Sequence, residues 1–142
     1  MLEFIEFHAE DVEFELPNAE IISFWILETI KTEKSLLGGA LNFIFCSDEY
    51  LYRLNMEYLQ HDTYTDVITF PYADEHVEGD IFVSIDRVAD NAQDLGVSFA
   101  EELHRVLIHG VLHLIGYDDL SDEDEAEMRT KENFYLKLLP KL

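Results

Sequence analysis

One stretch, residues 98–119, constrains this chain more than any other. It opens with Ser98-Phe99-Ala100-Glu101, a capping box in which the serine hydroxyl and the glutamate carboxylate each satisfy a free backbone N–H at a helix start. Leu103, Leu107, Ile108, Val111, Leu112, Leu114 and Ile115 then cover most of the circumference, so the helix predicted to run to Ile115 must be buried nearly all round. Gly116 suits the left-handed residue just past its end. The chain has 142 residues, 48% of them hydrophobic, which is enough for one core without disulfides and too little for two ordinary domains. Residues 1–142 are therefore read as a single domain.

His109 and His113 interrupt this apolar helix. Four residues apart, they lie on one face about one turn apart, so both imidazoles can reach one ion. Buried imidazoles cost stability unless each polar nitrogen has a partner. A metal supplies one partner per ring, and acceptors behind the rings supply the other. A pair of hydrogen-bonded core histidines explains a lone His-x-x-x-His equally well. The continuation Leu114-Ile115-Gly116-Tyr117-Asp118-Asp119 shifts the balance: glycine lets the chain turn back, and Asp119, six residues after His113, can become a third ligand. Two neutral imidazoles and one carboxylate leave a coordination position for water. Zinc fits such a set best, with nickel, copper and manganese compatible in ligand type.

The rest of the chain supplies strands and helices without strict alternation, which favours an α+β fold over a doubly wound sheet. Phe4, Ile5 and Phe7 predict a first strand, and Val12-Glu13-Phe14-Glu15-Leu16 alternates with period two like a second. Asn18 can cap a helix from about Ala19, on which Ile22, Trp25, Ile26 and Ile30 keep helical spacing before Gly38-Gly39. Residues 41–46 read as a buried strand that takes in Cys46 as a core residue, and Ser47 caps a helix carrying Leu51, Leu54 and Tyr58. Residues 67–70 and 79–84 are strands, Val88 and Ala92 mark a helix ending at Gly96, and Ser121-Asp122-Glu123-Asp124 starts the last one. His8 and His76 are read as exposed and unpartnered. Thr65 and Asp66 are read as fixing the start of the strand after them, with a substrate contact as the minority reading.

With 9 basic and 31 acidic residues the formal charge is −22. Such a surface repels nucleic acid at long range. It disfavours a generic nucleic-acid binder but not an enzyme that touches RNA at one metal site. The single cysteine allows no internal disulfide. The N-terminus carries acids where a signal peptide would be basic, and no apolar run reaches membrane-spanning length. These features predict a soluble, cytoplasmic protein.

The run His109-Gly110-Val111-Leu112-His113-Leu114-Ile115-Gly116-Tyr117-Asp118 resembles the signature of the YbeY family of bacterial rRNA-maturation endoribonucleases. The resemblance extends to Leu54-Asn55-Met56-Glu57-Tyr58, His61-Asp62, Thr65-Asp66-Val67-Ile68-Thr69-Phe70-Pro71 and Gly79-Asp80-Ile81, and so covers most of the chain. It implies a zincin-like α+β fold, a small mixed sheet packed with about five helices, with one Zn2+ on a central buried helix. It also implies cleavage of single-stranded RNA in rRNA maturation and ribosome quality control. The implied partners are the small ribosomal subunit and an Era-type GTPase.

Three positions depart from that pattern. Asp119 stands where the family usually has a third histidine; aspartate is an adequate zinc ligand, and the more negative set should make a bound water less acidic. Leu59 replaces an arginine linked to activity, and His61 replaces a common lysine. Losing a fixed guanidinium removes a phosphate clamp. His61, when protonated, and Arg53 are the candidates to take over part of that role, against the plainer readings of a surface loop and a solvated helix face, and Arg87 is a weaker one. Asp118 is read as an acceptor of backbone N–H groups in its turn. Gly110 stands where helical metalloproteases carry their general-base glutamate, which ranks a peptide hydrolase low. A ribosome-assembly factor with a structural metal and little nuclease activity is the main rival.

Overall fold

The computed structural model describes residues 4–33, 35, 37–60 and 64–141. The elements are β1 (Ile5–Ala9), α1 (Ala19–Thr32), β2 (Leu37–Cys46), α2 (Asp48–Leu59), β3 (Val67–Pro71), β4 (Val77–Ser84), α3 (Ile85–Leu95), α4 (Phe99–Ile115) and α5 (Asp122–Leu138). The four strands form one sheet in the order β1-β2-β4-β3. β1, β2 and β4 are parallel, and β3 closes one edge antiparallel to β4. Helix α1 is the crossover that a parallel β1–β2 pair requires.

Period two in the strands sorts side chains onto two faces. Phe43 stands in register with Ile81, and Phe45 with Val83. With Ile5 and Leu41 they form the apolar face of the larger core, which takes in Ile22, Trp25, Ile26 and Ile30 of α1, the buried side of α4, and Met128 and Tyr135 of α5, the last helix packing against α4. Each such side chain contributes about 1.5–3 kcal/mol by leaving water. The opposite face gathers Cys46, Ile68, Phe70 and Phe82 against Tyr50, Leu51 and Leu54 of α2. Cys46 is fully buried and its thiol is pushed up to about 12 by burial and then by the surrounding acids, which makes it a core residue.

Helix α4 is the centre of the larger core. Leu103, Val106, Leu107, Ile108, Val111 and Leu112 are buried, while His109 and His113 are half-buried. Position 110 is where the helix meets the sheet: a Cβ there would lie 2.9 Å from Ile81 Cγ2 and 3.3 Å from its Cδ1. Only glycine permits that approach. Position 110 therefore faces β4, so a glutamate there would enter the core. Gly110→Val should cost about 2–3 kcal/mol, because the methyl it strikes is fixed by β-branching. The loss should appear as a lower urea midpoint at unchanged slope.

Several sequence expectations change here. Residues 12–16 are not a strand: Leu16 is buried and Phe14 packs edge-on at 4.8 Å from Phe45, but no ladder pairs them. Alternation reports which side chains face inward; pairing also needs a free strand edge alongside. Asn18 occupies the N-cap of α1 in the left-handed conformation, φ 60°, and its side chain makes no capping bond. Its contribution is tolerance of that backbone state. His76 is half-buried with Nε2 2.8 Å from Glu78 Oε1, and its ring fills the space over Gly38. His8 is exposed as expected but lies 3.4 Å from Asn42 Oδ1. No helix of the described residues is long and apolar enough to cross a membrane.

Candidate metal centre

The start of α4 is fixed by Ser98, whose hydroxyl accepts from the Glu101 N–H at 3.1 Å. Glu101 in turn accepts from that hydroxyl, so the serine half of the predicted capping box forms. At the other end Gly116 adopts φ 132°, with its N–H on the carbonyls of Leu112 and His113, and the chain folds back. That turn brings Asp119 over the two histidines. His109 Nε2 and His113 Nε2 are 3.1 Å apart, and Asp119 Oδ2 lies 3.5 Å from the first and 3.4 Å from the second. Donor atoms about 2.0–2.1 Å from one tetrahedral ion are spaced by about 3.3 Å. The three atoms therefore fit a single transition-metal ion of zinc's size, and among the described residues they are the one cluster of three such side chains close enough to share a cation.

A fourth residue, absent from the sequence expectations, orients the site. Glu132 of α5 is buried, and its Oε2 lies 2.6 Å from His109 Nδ1 while Oε1 accepts from Arg105 at 2.8 Å. Burial alone would raise the Glu132 carboxyl, but the bonds from His109 and Arg105 outweigh it and hold it below its ordinary range. An ionised carboxylate only accepts, so Nδ1 of His109 carries the proton and the Nε2 lone pair is directed at His113 and Asp119. Desolvation would lower His109; Glu132, Asp66 and Asp119 together win and raise it. One sequence signal marked Glu132: with Met128 and Tyr135 it occupies the buried stripe of α5, the lone acid there. That spacing is masked by the many exposed acids of the same helix.

Two clefts flank the triad and share Asp66, His109 and Asp119. One, of about 270 Å³, is also lined by Glu102, Arg105 and Glu132. The other, of about 340 Å³, is also lined by Asn55, Leu59 and His113. Asp66 fixes the start of β3, its carboxylate taking backbone N–H groups there, and it also lines both clefts. Thr65 Oγ1 bonds the Val67 carbonyl at 3.5 Å. Arg53 is exposed on α2, where its charge acts on Asp11, and it lines neither cleft. Arg87 is committed to Asp48 at 2.6 Å. His61 lies outside the described residues. Asp118 is exposed and accepts no backbone N–H among the described residues, so the expected turn bond is not made.

The turn bearing Asp119 is tied to the rest of the molecule through Tyr117. Its hydroxyl donates to Glu33 at 2.6 Å; Lys131 at 3.1 Å and the Tyr135 hydroxyl donate to the same carboxylate. Burial would raise Glu33, but these donors outweigh it, so its carboxyl is held below the ordinary value of 4.5. A carboxyl lowered on folding adds stability above its unfolded pKa and loses it as pH falls through the folded one. Wild type should therefore lose more stability than Glu33→Gln between pH 6 and pH 3, read from urea midpoints at about five pH values.

Fold and site together define an α+β protein whose central buried helix and following turn present a His-His-Asp set suited to one cation. The chain belongs to the endoribonuclease YbeY family: the profile described as "Endoribonuclease YbeY" matches residues 4–140. A protein of Amoebophilus asiaticus named endoribonuclease YbeY is 51% identical over 93% of this chain and 90% of its own length. Its namesake in Cytophaga hutchinsonii is 48% identical over 96% of each chain. The solution structure of TM1509 from Thermotoga maritima superposes with a TM-score of 0.68, at 31% identity, over 95% of this chain and 88% of that one.

Proposed function

We propose that residues 1–142 act as one cytoplasmic domain, a metal-dependent endoribonuclease that cleaves single-stranded RNA in rRNA maturation and ribosome quality control. One zinc ion would be held by His109, His113 and Asp119. The observation that carries this reading is the near-equilateral triangle of donor atoms, 3.1, 3.4 and 3.5 Å on its edges, opening onto two clefts. A divalent ion held there supplies Lewis acidity toward a phosphodiester oxygen. The chain's own groups prepare for it: Glu132 fixes the His109 ring, Tyr117 and Glu33 hold the turn of Asp119, and Gly110 sets the helix against β4. Family resemblance adds the small ribosomal subunit and an Era-type GTPase as partners.

A rival reading, an assembly factor whose metal braces the fold, draws on one observation. Leu59 lines the larger of the two clefts, and no lysine or arginine among the described residues does. Incubating metal-loaded protein with unstructured RNA, beside a chelated sample, separates the two. Cleavage that vanishes on chelation supports the enzyme, whereas equal background in both supports the assembly factor. Elemental analysis should give about one zinc per chain and clearly less in Asp119→Ala; undiminished zinc in that variant would remove Asp119 from the ligand set.

A further inference from the structure

The cleft between α4 and α5 holds a carboxylate that the triad does not use. Glu102 is only 6% exposed, and it has no hydrogen bond or ion pair with any described residue. Every fully buried side-chain nitrogen or oxygen among the described residues has a hydrogen-bond partner. The little surface Glu102 keeps therefore includes its oxygens; the residue lines both this cleft and a neighbouring one of about 650 Å³, and Asp66, which of these two lines only the first, is close enough for its charge to act on the Glu102 carboxyl. A buried carboxylate left in this state costs stability. Burial pushes it up, and the charge of Asp66 pushes it further.

The surroundings narrow the ligand. Asp66 lines the same cleft, with only backbone N–H groups and a long 3.4 Å contact to Asn91 Nδ2 on its carboxylate. Glu132 is already matched by Arg105 and His109, and Asp119 belongs to the triad. That leaves Glu102, Asp66 and the exposed Glu125 against Arg129, whose guanidinium is 3.9 Å from Glu132. The balance is negative, and the free donors are oxygens alone.

We propose that Glu102 and Asp66 form a second cation site, for a hard divalent ion such as Mg2+, beside the His109–His113–Asp119 centre. Mg2+ keeps most of its waters and is held by one or two carboxylates together with substrate phosphates. The cleft, about 270 Å³, has room for an ion with about six waters at about 30 Å³ each. A cation there gives a phosphodiester strand the positive charge that a chain of formal charge −22, with Leu59 on the neighbouring cleft, otherwise lacks. The site stands on the cleft alone; its use in RNA recognition rests on the nuclease reading.

The test titrates Mn2+ into protein carrying one equivalent of zinc, follows the free Mn2+ signal by electron paramagnetic resonance, and competes with Mg2+. Wild type should take up one further Mn2+ per chain, released by Mg2+. Glu102→Gln and Asp66→Asn should each bind it at least tenfold more weakly. Glu102→Gln should melt at or above the wild-type temperature, since an unpartnered charge has gone, so lost binding in that variant cannot be blamed on unfolding. No uptake beyond the zinc, or wild-type uptake in Glu102→Gln, overturns the site. Mn2+ binding that is intact while RNA is never cleaved would instead sink the nuclease reading and leave the site standing.

Discussion

His113→Ala should lower the RNA-cleaving rate by at least about a hundredfold while leaving the protein folded. The size follows from what is removed. His113 Nε2 is one of three donor atoms, and without it the cluster keeps His109 and Asp119, too few to hold a transition-metal ion tightly. Loss of electrostatic help worth about 3–4 kcal/mol corresponds to about 10²–10³ in rate. The fold should tolerate the change, because His113 is half-buried and, among the described residues, its ring nitrogens contact only the other two members of the triad. Circular dichroism and the melting temperature check folding, and single-turnover cleavage of an unstructured RNA checks activity. Wild-type cleavage by a folded, metal-poor His113→Ala would end the metal mechanism.

Glu132→Gln should weaken zinc affinity by about 10–100-fold although residue 132 is no ligand. The amide has one acceptor oxygen and cannot serve both His109 Nδ1 and Arg105, which the two carboxylate oxygens now do at 2.6 and 2.8 Å. If the amide nitrogen turns toward His109, the ring must flip tautomer and present a protonated Nε2 to the site. Stability should also fall by about 1.5–3 kcal/mol, the range for hydrogen bonds to charged groups. Arg105→Ala separates the two effects: it should lose stability yet keep zinc affinity near wild type, since His109 retains its acceptor. Competition with a chromophoric chelator measures the affinity. Equal zinc affinity in wild type and Glu132→Gln would show that His109 needs no partner behind it.

Much of the architecture was written locally. The Ser98 cap, the apolar girdle of α4 and the turn at Gly116 are short-range features, and each is found where the spacing put it. The same holds for the caps at Ser47 and Ser121 and the end of α3 at Gly96. Residues 12–16 alternate without pairing because period-two burial is common to paired strands and to extended segments lying over a core. Gly110 could be read as a missing glutamate, but that its hydrogen faces Ile81 depends on how closely helix and sheet approach.

Sequence by itself picked out the three candidate ligands, because one helix turn and a glycine bend allow residues i, i+4 and i+10 to meet. The tertiary structure decided what stands behind and beside them. Glu132 is 23 residues from His109, and Glu33 is 84 from Tyr117. Glu102 and Asp66 meet one cleft from different elements. Contacts at such separations leave no periodic trace, since they arise only when α5 and α1 close on α4 to bury a common apolar face.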